Sequence, residues 1–444
     1  MTSAGTATGV NSGHSGQILR LAIPVILAEL GWMLMGVVDT IMVGPLGPAA
    51  IGAVSIGNAL FDVAGIFGIG LLLGLDTLIA QAFGAGRRDV CDRWLWHGLY
   101  LAILSALVLM MFVEFSIPAM RIFGVQPGVL EVAVPYVRAL NFSLLPLLLY
   151  AAFRRYLQGL LKVGIVMFAL ISANVVNAVG NYYLIPMFGV EGSGWSTLGA
   201  RIYMAGVLAL FAFGTTRSLL KNVPRPSLAA ARELLLLGGP AAGQILLEVG
   251  VFAAATMMAA KLNPESLAAH HIALMIAATS FMIPLGLSSA GAVLVGNSVG
   301  RGDMRSAKTA GWLTVAFAAG FMSFAAIVMF LIPTTLVELF TKNSDVLRIA
   351  VPLLSIAAVF QIFDGIQVSA TGILRGAGDT RTPMLANLVA HWALGLPAGY
   401  ILCFVFGMGV FGLWAGLSAG LILVGLTLLA WWWRYSPRRV QELS

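Results

Sequence analysis

The chain has 444 residues, 59% of them hydrophobic and only 10% charged, with a formal net charge of +7; its mean hydropathy is +0.95. Soluble globular chains carry roughly 25% charged residues, so charge this sparse excludes a cytosolic enzyme and a disordered chain alike. A bilayer core of about 30 Å takes about 20 apolar residues per helix, and the length accommodates twelve such helices with short loops and no large soluble domain.

In chain order, residues 1–15 are rich in Gly, Ser and Thr and nearly uncharged. They lack the basic start and cleavage site of a signal peptide, so they read as a disordered cytoplasmic end ahead of a retained first span. Apolar stretches follow at 18–43, 50–82, 94–117, 130–153, 163–185, 195–214, 233–260, 266–298, 309–332, 346–373, 383–406 and 410–433. Pro24 and Pro240 lie inside the first and seventh, where a missing amide and a ring clash bend a helix. The most polar connector, Thr215 to Ser227, divides six spans from six. The expected organisation is therefore an N-lobe at 16–214, a cytoplasmic linker at 215–232, a C-lobe at 233–434 and a cytoplasmic tail at 435–444.

Basic residues cluster on one side. The two ends and the even-numbered connections hold Arg20, Arg87, Arg88, Arg93, Arg154, Arg155, Lys162, Arg217, Lys221, Arg225, Arg232, Arg301, Arg305, Lys308, Arg375, Arg381, Arg434, Arg438 and Arg439. The other side keeps only Arg121, Arg138, Arg201, Lys261, Lys342 and Arg348. Both termini are then cytoplasmic, and the net charge reflects short loops at a membrane, with no nucleic acid implied. Cys91 and Cys403 have no partner at ligand spacing, so no disulfide framework or metal cluster is expected.

The halves repeat. A shift of 216 residues places Pro24 on Pro240, Leu46 and Pro48 on Leu262 and Pro264, Gly70 on Gly286, and Gly84-Ala-Gly-Arg87 on Gly300-Arg-Gly-Asp303. With one residue's slip, Phe123, Val134-Pro135 and Gly159 meet Phe340, Val351-Pro352 and Gly376. Six spans per half is an even number, so both halves enter from the same side, as parallel repeats. The fold class is an all-α polytopic membrane protein: twelve transmembrane helices in two six-helix lobes, related by a pseudo-two-fold axis along the membrane normal.

Charge inside a bilayer costs about 2.5–3.5 kcal/mol per residue on insertion scales. Glu29, Asp39, Asp62, Asp76, Glu248 and Asp364 all fall within spans, and no Lys or Arg is expected near a span's middle to pair with them. Uncompensated carboxylates attract cations or carry protons, as a cation-coupled exporter requires. Glu248 and Asp364 lie near the midpoints of the seventh and tenth spans, where they share a proton, bind Na⁺, or serve as buried hydrogen-bond donors. Asn174, Asn177 and Asn181 share a face of the fifth span, and either join Asp39 around a cation or bridge helices. Asp62 and Asp76 read as more structural than functional, and Glu29 has no assigned role.

Three features have plainer readings. Gly84-Ala-Gly86 and Gly300-Arg-Gly302 lack the full spacing and the Lys-Ser/Thr of a nucleotide loop, so they are turns. His270, His271 and His391 read as packed or interfacial residues. Trp431, Trp432 and Trp433 read as an interfacial aromatic anchor.

Val38-Asp-Thr-Ile-Met42, Ala80-Gln-Ala-Phe-Gly-Ala-Gly86, Leu247-Glu-Val249 and Ala358-Val-Phe-Gln-Ile-Phe-Asp-Gly-Ile-Gln367 together resemble the multidrug and toxic compound extrusion (MATE) family, in its NorM-like bacterial branch. The resemblance covers nearly the whole chain and implies export of cationic, amphipathic drugs in exchange for Na⁺ or H⁺, with no other cofactor. It carries the family's acid pair onto Glu248 and Asp364, and its amino-terminal cation site onto Asp39, Asn177, Asn181 and Thr197. Pro24 matches a proline linked to bending of the first span. Three positions depart. Phe360 stands where NorM-like proteins often have Tyr, Phe281 where some relatives have another cation-contacting aromatic, and Asn181 where the DinF-like branch has Asp. These leave Na⁺ against H⁺ open.

The expected function is a secondary active multidrug antiporter working by alternating access, as a monomer among the lipids of a bacterial inner membrane. Trp32, Phe281 and Phe360 are candidate contacts for planar cations, or else core residues. The rival is a lipid or glycolipid flippase, whose mark would be several basic residues inside the cleft. An enzyme would show a nucleophile-base-acid set or ligands at helical spacing, neither of which is present, and a channel is more often a symmetric oligomer.

Overall fold

The computed structural model describes the backbone of residues 5–122, 127–216, 218–221 and 223–434. Residues 1–4 and the expected tail at 435–444 lie outside the described residues, as do Phe123 and Arg217. Helices are the only regular structure among the described residues, and twelve are long and apolar enough to cross a membrane. A chain in lipid must satisfy its backbone amides internally, and a helix does so within one segment. The protein is a multi-pass membrane protein.

In chain order the spans are α1 (Gly5–Val43), α2 (Pro48–Gly84), α3 (Arg88–Ile122), α4 (Gly128–Gly159), α5 (Val163–Phe188) and α6 (Val190–Thr215). They continue with α7 (Leu228–Ala259), α8 (Pro264–Gly300), α9 (Met304–Leu331), α10 (Ser344–Ala377), α11 (Arg381–Val405) and α12 (Gly409–Arg434). All twelve expected stretches are helical. The first begins at Gly5, where a disordered end was expected through residue 15. No proline interrupts that segment, and once a helix is nucleated each further residue adds a hydrogen bond without a new nucleus.

Helix starts are chemically marked. Pro48 and Pro264 open α2 and α8, where a missing N–H leaves nothing unsatisfied. The side chains of Asn263, Asp303 and Asn343 accept hydrogen bonds from backbone amides at the starts of α8, α9 and α10. The two glycine-rich loops are turns, as expected. Gly86 and Gly302, related by the 216-residue shift, take φ of 76° and 74°, a region that only glycine enters at low cost.

Two compact units result. The amino-terminal unit is Leu27–Ala242; the carboxy-terminal unit holds the residues up to Ile26 together with those from Gly243 onward. The division falls inside α1 and α7, two residues past Pro24 and Pro240, rather than at the linker. Close helix crossings explain it. A Cβ on Gly70 of α2 would lie 2.5 Å from the Cα of Ala242, and one on Gly238 would strike the carbonyl oxygen of Leu71. The first half of α7 thus packs backbone to backbone on α2. In the other unit, a Cβ on Gly286 of α8 would lie 2.5 Å from Ile26. The pairs Gly70–Ala242 and Gly286–Ile26 are related by the same 216-residue shift, so each half of the repeat lends the start of its first helix to the other. Small residues permit such approach where lipid offers no hydrophobic drive.

The linker is not loose. Trp96 Nε1 donates to the Leu219 carbonyl at 3.0 Å and Tyr100 donates its hydroxyl to the Pro224 carbonyl at 2.9 Å, tying the connector to α3. At the far end of the chain, Trp432 is buried against Gly311. Of the three tryptophans, Trp431 and Trp433 are exposed while Trp432 is buried, because a helix turns about 100° per residue and three consecutive side chains cannot share one face.

Overpacking a core costs about 1–3 kcal/mol. Gly238→Val and Gly286→Val are therefore expected to lower the thermal unfolding midpoint of detergent-purified protein. Gly206→Val should not, because its Cβ meets nothing within 4 Å. Equal midpoints for all three would remove the crossings' structural importance.

Candidate cation sites

In the amino-terminal unit, α1, α5 and α6 bring four of the expected residues together. Asn181 Nδ2 donates to Asp39 Oδ1 at 2.6 Å, and Thr197 Oγ1 donates to Asp39 Oδ2 at 3.2 Å. Asn177 Nδ2 reaches Thr197 Oγ1 at 3.4 Å, and its own Oδ1 accepts from Asn181 at 3.4 Å. Asn177 and Asn181 are one helical turn apart on α5, which places both amides against the same carboxylate. All four side chains are buried, and Asn181 Oδ1 has no hydrogen-bond partner. One carboxylate and two carboxamide oxygens form a hard-oxygen donor set of the kind that suits a hard cation. Asn174 stays apart. Its amide donates to the Gly31 and Leu170 carbonyls, so it joins helices, as asparagine often does in membranes.

In the carboxy-terminal unit, α7 and α10 hold Glu248 and Asp364. Gln367 Nε2 donates to Glu248 Oε2 at 3.3 Å, and Gln244 Nε2 donates to the same oxygen. Gln244 and Glu248 are four residues apart on α7, and Asp364 and Gln367 three apart on α10, so each helix presents an acid and an amide on one face. Asp364 is buried and within electrostatic range of Glu248. Among the described residues no Lys or Arg forms an ion pair with either acid.

Other acids differ from the expectation that no basic residue lies within the spans. Glu29 pairs with Arg154, and Asp76 with Arg155 at 3.4 Å. Both arginines are buried. They were assigned to a loop, yet the helix runs on to Gly159, which leaves them more than a turn inside its end. Burial makes a closed pair the least costly state for these charges. Arg201, assigned to the outer side, lies in the interior of α6 and is buried beside Trp32 and Phe61.

The aromatic candidates separate. Phe360 is enclosed, edge-on to Phe252 at 5.9 Å and tilted against Trp414 at 5.6 Å, so its ring is packed inside the carboxy-terminal unit. Trp32 and Phe281 are partly exposed. His270 is a packed residue: Trp414 Nε1 donates to its Nδ1 at 3.0 Å, and its Nε2 lies 3.0 Å from Thr256 Oγ1. Pro24 sits in an unbroken helix. Gln244, Gln367 and Arg201 were not singled out from sequence; the four-residue spacing of Gln244 to Glu248 was the available signal for the first.

Known proteins agree with this architecture. A profile of the MatE family matches residues 24–183 and 240–401. The chain is 35% identical over 434 residues to a probable multidrug resistance protein NorM of Mesorhizobium japonicum, covering 94% of this chain and 93% of that one. It is 34% identical over 428 residues to a like-named protein of Deinococcus radiodurans, covering 93% of each. Among solved structures it is similar to the eukaryotic MATE transporter AtDTX14, with a TM-score of 0.88 at 20% identity over 97% of this chain and 99% of that one. It is likewise similar to a MOP superfamily transporter from Pyrococcus furiosus, with a TM-score of 0.88 at 20% identity over 97% and 96%. With both repeats of the chain matched by the family profile, and bacterial relatives alike along nearly their whole length, this protein belongs to the MatE (multidrug and toxic compound extrusion) family.

Proposed function

We propose that this protein is a secondary active multidrug exporter of the bacterial inner membrane, with both termini cytoplasmic. It exchanges cationic amphipathic compounds for Na⁺ or H⁺ by alternating access, as a monomer. The observation that carries the reading is a contrast among buried acids. Glu29 and Asp76 are closed by arginines, whereas Asp39 and Glu248 are met by amides and a hydroxyl, and Asp364 forms no ion pair with a described Lys or Arg. Amides orient a carboxylate without neutralising it. A charge left unneutralised in an apolar medium either binds a proton or recruits a cation. The relatives named multidrug resistance protein NorM support drug export as the activity. The acidic character of both centres weighs against a phosphate-bearing lipid as cargo.

The test is ethidium efflux from proteoliposomes under an imposed Na⁺ gradient or, separately, a pH gradient. One of the two is expected to drive efflux, and no response to either would overturn the antiport reading. Glu248→Gln and Asp364→Asn should each abolish drug resistance in cells at unchanged expression, and wild-type resistance in both would remove the carboxy-terminal centre from the mechanism.

Protons and organic cations compete for the same charge, so the sign of the pH effect follows. Drug affinity of the purified protein should fall as pH is lowered, and the slope should flatten in the Glu248→Gln, Asp364→Asn double variant. At the amino-terminal centre, Asn181→Leu removes a hydrogen bond to a charged group, worth about 1.5–3 kcal/mol. It is expected to change cation affinity there by about 10- to 100-fold, as read by radiolabelled Na⁺ binding or proton uptake.

A further inference from the structure

Arg201 stands apart from the other buried basic residues of the amino-terminal unit. Arg154 and Arg155 each close an ion pair. Among the described residues Arg201 forms no ion pair with a carboxylate within 4.0 Å; its guanidinium is instead held by neutral groups. Its Cζ lies 4.4 Å from the ring centroid of Phe61 and 5.7 Å from that of Trp32, Nη1 donates to Ser143 Oγ, and Nε has no acceptor although it is buried. A guanidinium keeps its proton in proteins, so the side chain delivers a permanent charge at a place set by aromatic faces rather than by acids.

Two carboxylates share its electrostatic field, Asp62 and Asp39. Thr197, which donates to Asp39, precedes Arg201 by four residues on α6 and so lies on the same face one turn away. Asp62 follows Phe61 on α2 and is exposed. The region therefore holds two acids and one immobile cation, a net charge of −1 when both acids are ionised.

We propose that Arg201 is a tethered counter-cation that limits the amino-terminal site to one monovalent ion. It balances Asp62 and leaves Asp39, with Asn177, Asn181 and Thr197, as the carboxylate an exchangeable ion can claim. The proposal rests on the reading of Asp39 as a cation site. Its physical content is release: two uncompensated carboxylates would hold a second ion, or a divalent one, and an exchanger must let its ion go. The rings and Ser143, none of them an exchangeable ion, hold the guanidinium, so its repulsion is built into the site.

The experiment uses the full-length protein with Glu248→Gln and Asp364→Asn, which silences the other centre. It measures radiolabelled Na⁺ bound per chain and, in parallel, proton uptake. The parent should bind about one ion and Arg201→Met about two, whereas Arg201→Lys and the double variant Arg201→Met, Asp62→Asn should both return to about one. Asp62→Asn alone, a change at an exposed side chain, leaves Arg201 facing Asp39. It should weaken ion binding by about tenfold or more, and this arm remains decisive if Arg201→Met does not fold. Unchanged stoichiometry and affinity in Arg201→Met, or parent-like binding in Asp62→Asn, would overturn the proposal while leaving Asp39 a cation site. A parent that binds neither ion would overturn the underlying reading as well.

Discussion

The cost of carrying a charge in an apolar medium organises this protein. Every ionised group within the spans has to be met by an opposite charge, by oriented dipoles or by an exchangeable ion. Glu29 with Arg154 and Asp76 with Arg155 take the first route and are chemically quiet. Asp39 and Glu248 take the second, accepting hydrogen bonds from asparagine, threonine and glutamine. Those partners locate the carboxylate and leave its charge available. The difference between acids closed by arginine and acids held by amides is thus a difference of partners, and it runs through residues of identical chemistry.

The scaffold obeys a different constraint. Helices in lipid gain little from hydrophobicity against one another, so their association relies on close backbone approach at small residues. Gly70 against Ala242 and Gly286 against Ile26 are one crossing made twice by the repeat. Because these crossings bind the first halves of α1 and α7 to the opposite half of the sequence, each unit is completed by a segment from elsewhere in the chain. The prolines lie just before the point where each helix leaves one unit for the other.

The repeat stops short of the chemistry. Under the 216-residue shift Glu248 corresponds to Trp32 and Asp39 to Ala255, so neither acid has an acidic counterpart. One centre is built on α1, α5 and α6, the other on α7 and α10. A duplicated scaffold carries two differently constructed carboxylate sites, which accounts for a chain whose halves share their glycine and proline punctuation but not their polar residues.

Sequence by itself determined the helical class, the twelve spans, the repeat and most of the carboxylate sites, because each leaves a local mark. Apolar runs of bilayer length, prolines and glycines in register, and asparagines one turn apart are all legible along the chain. Tertiary structure alone decided which acids are neutralised, since Arg154, Arg155 and Arg201 reach their surroundings across helices distant in sequence, and an arginine near a span's end reads like a loop residue. It also decided that Phe360 and Trp432 are core, that Asn174 bridges helices while Asn177 and Asn181 serve Asp39, and that the units divide within α1 and α7. Each of these depends on which face of a helix meets which neighbour, a property of packing that periodicity along one segment does not contain.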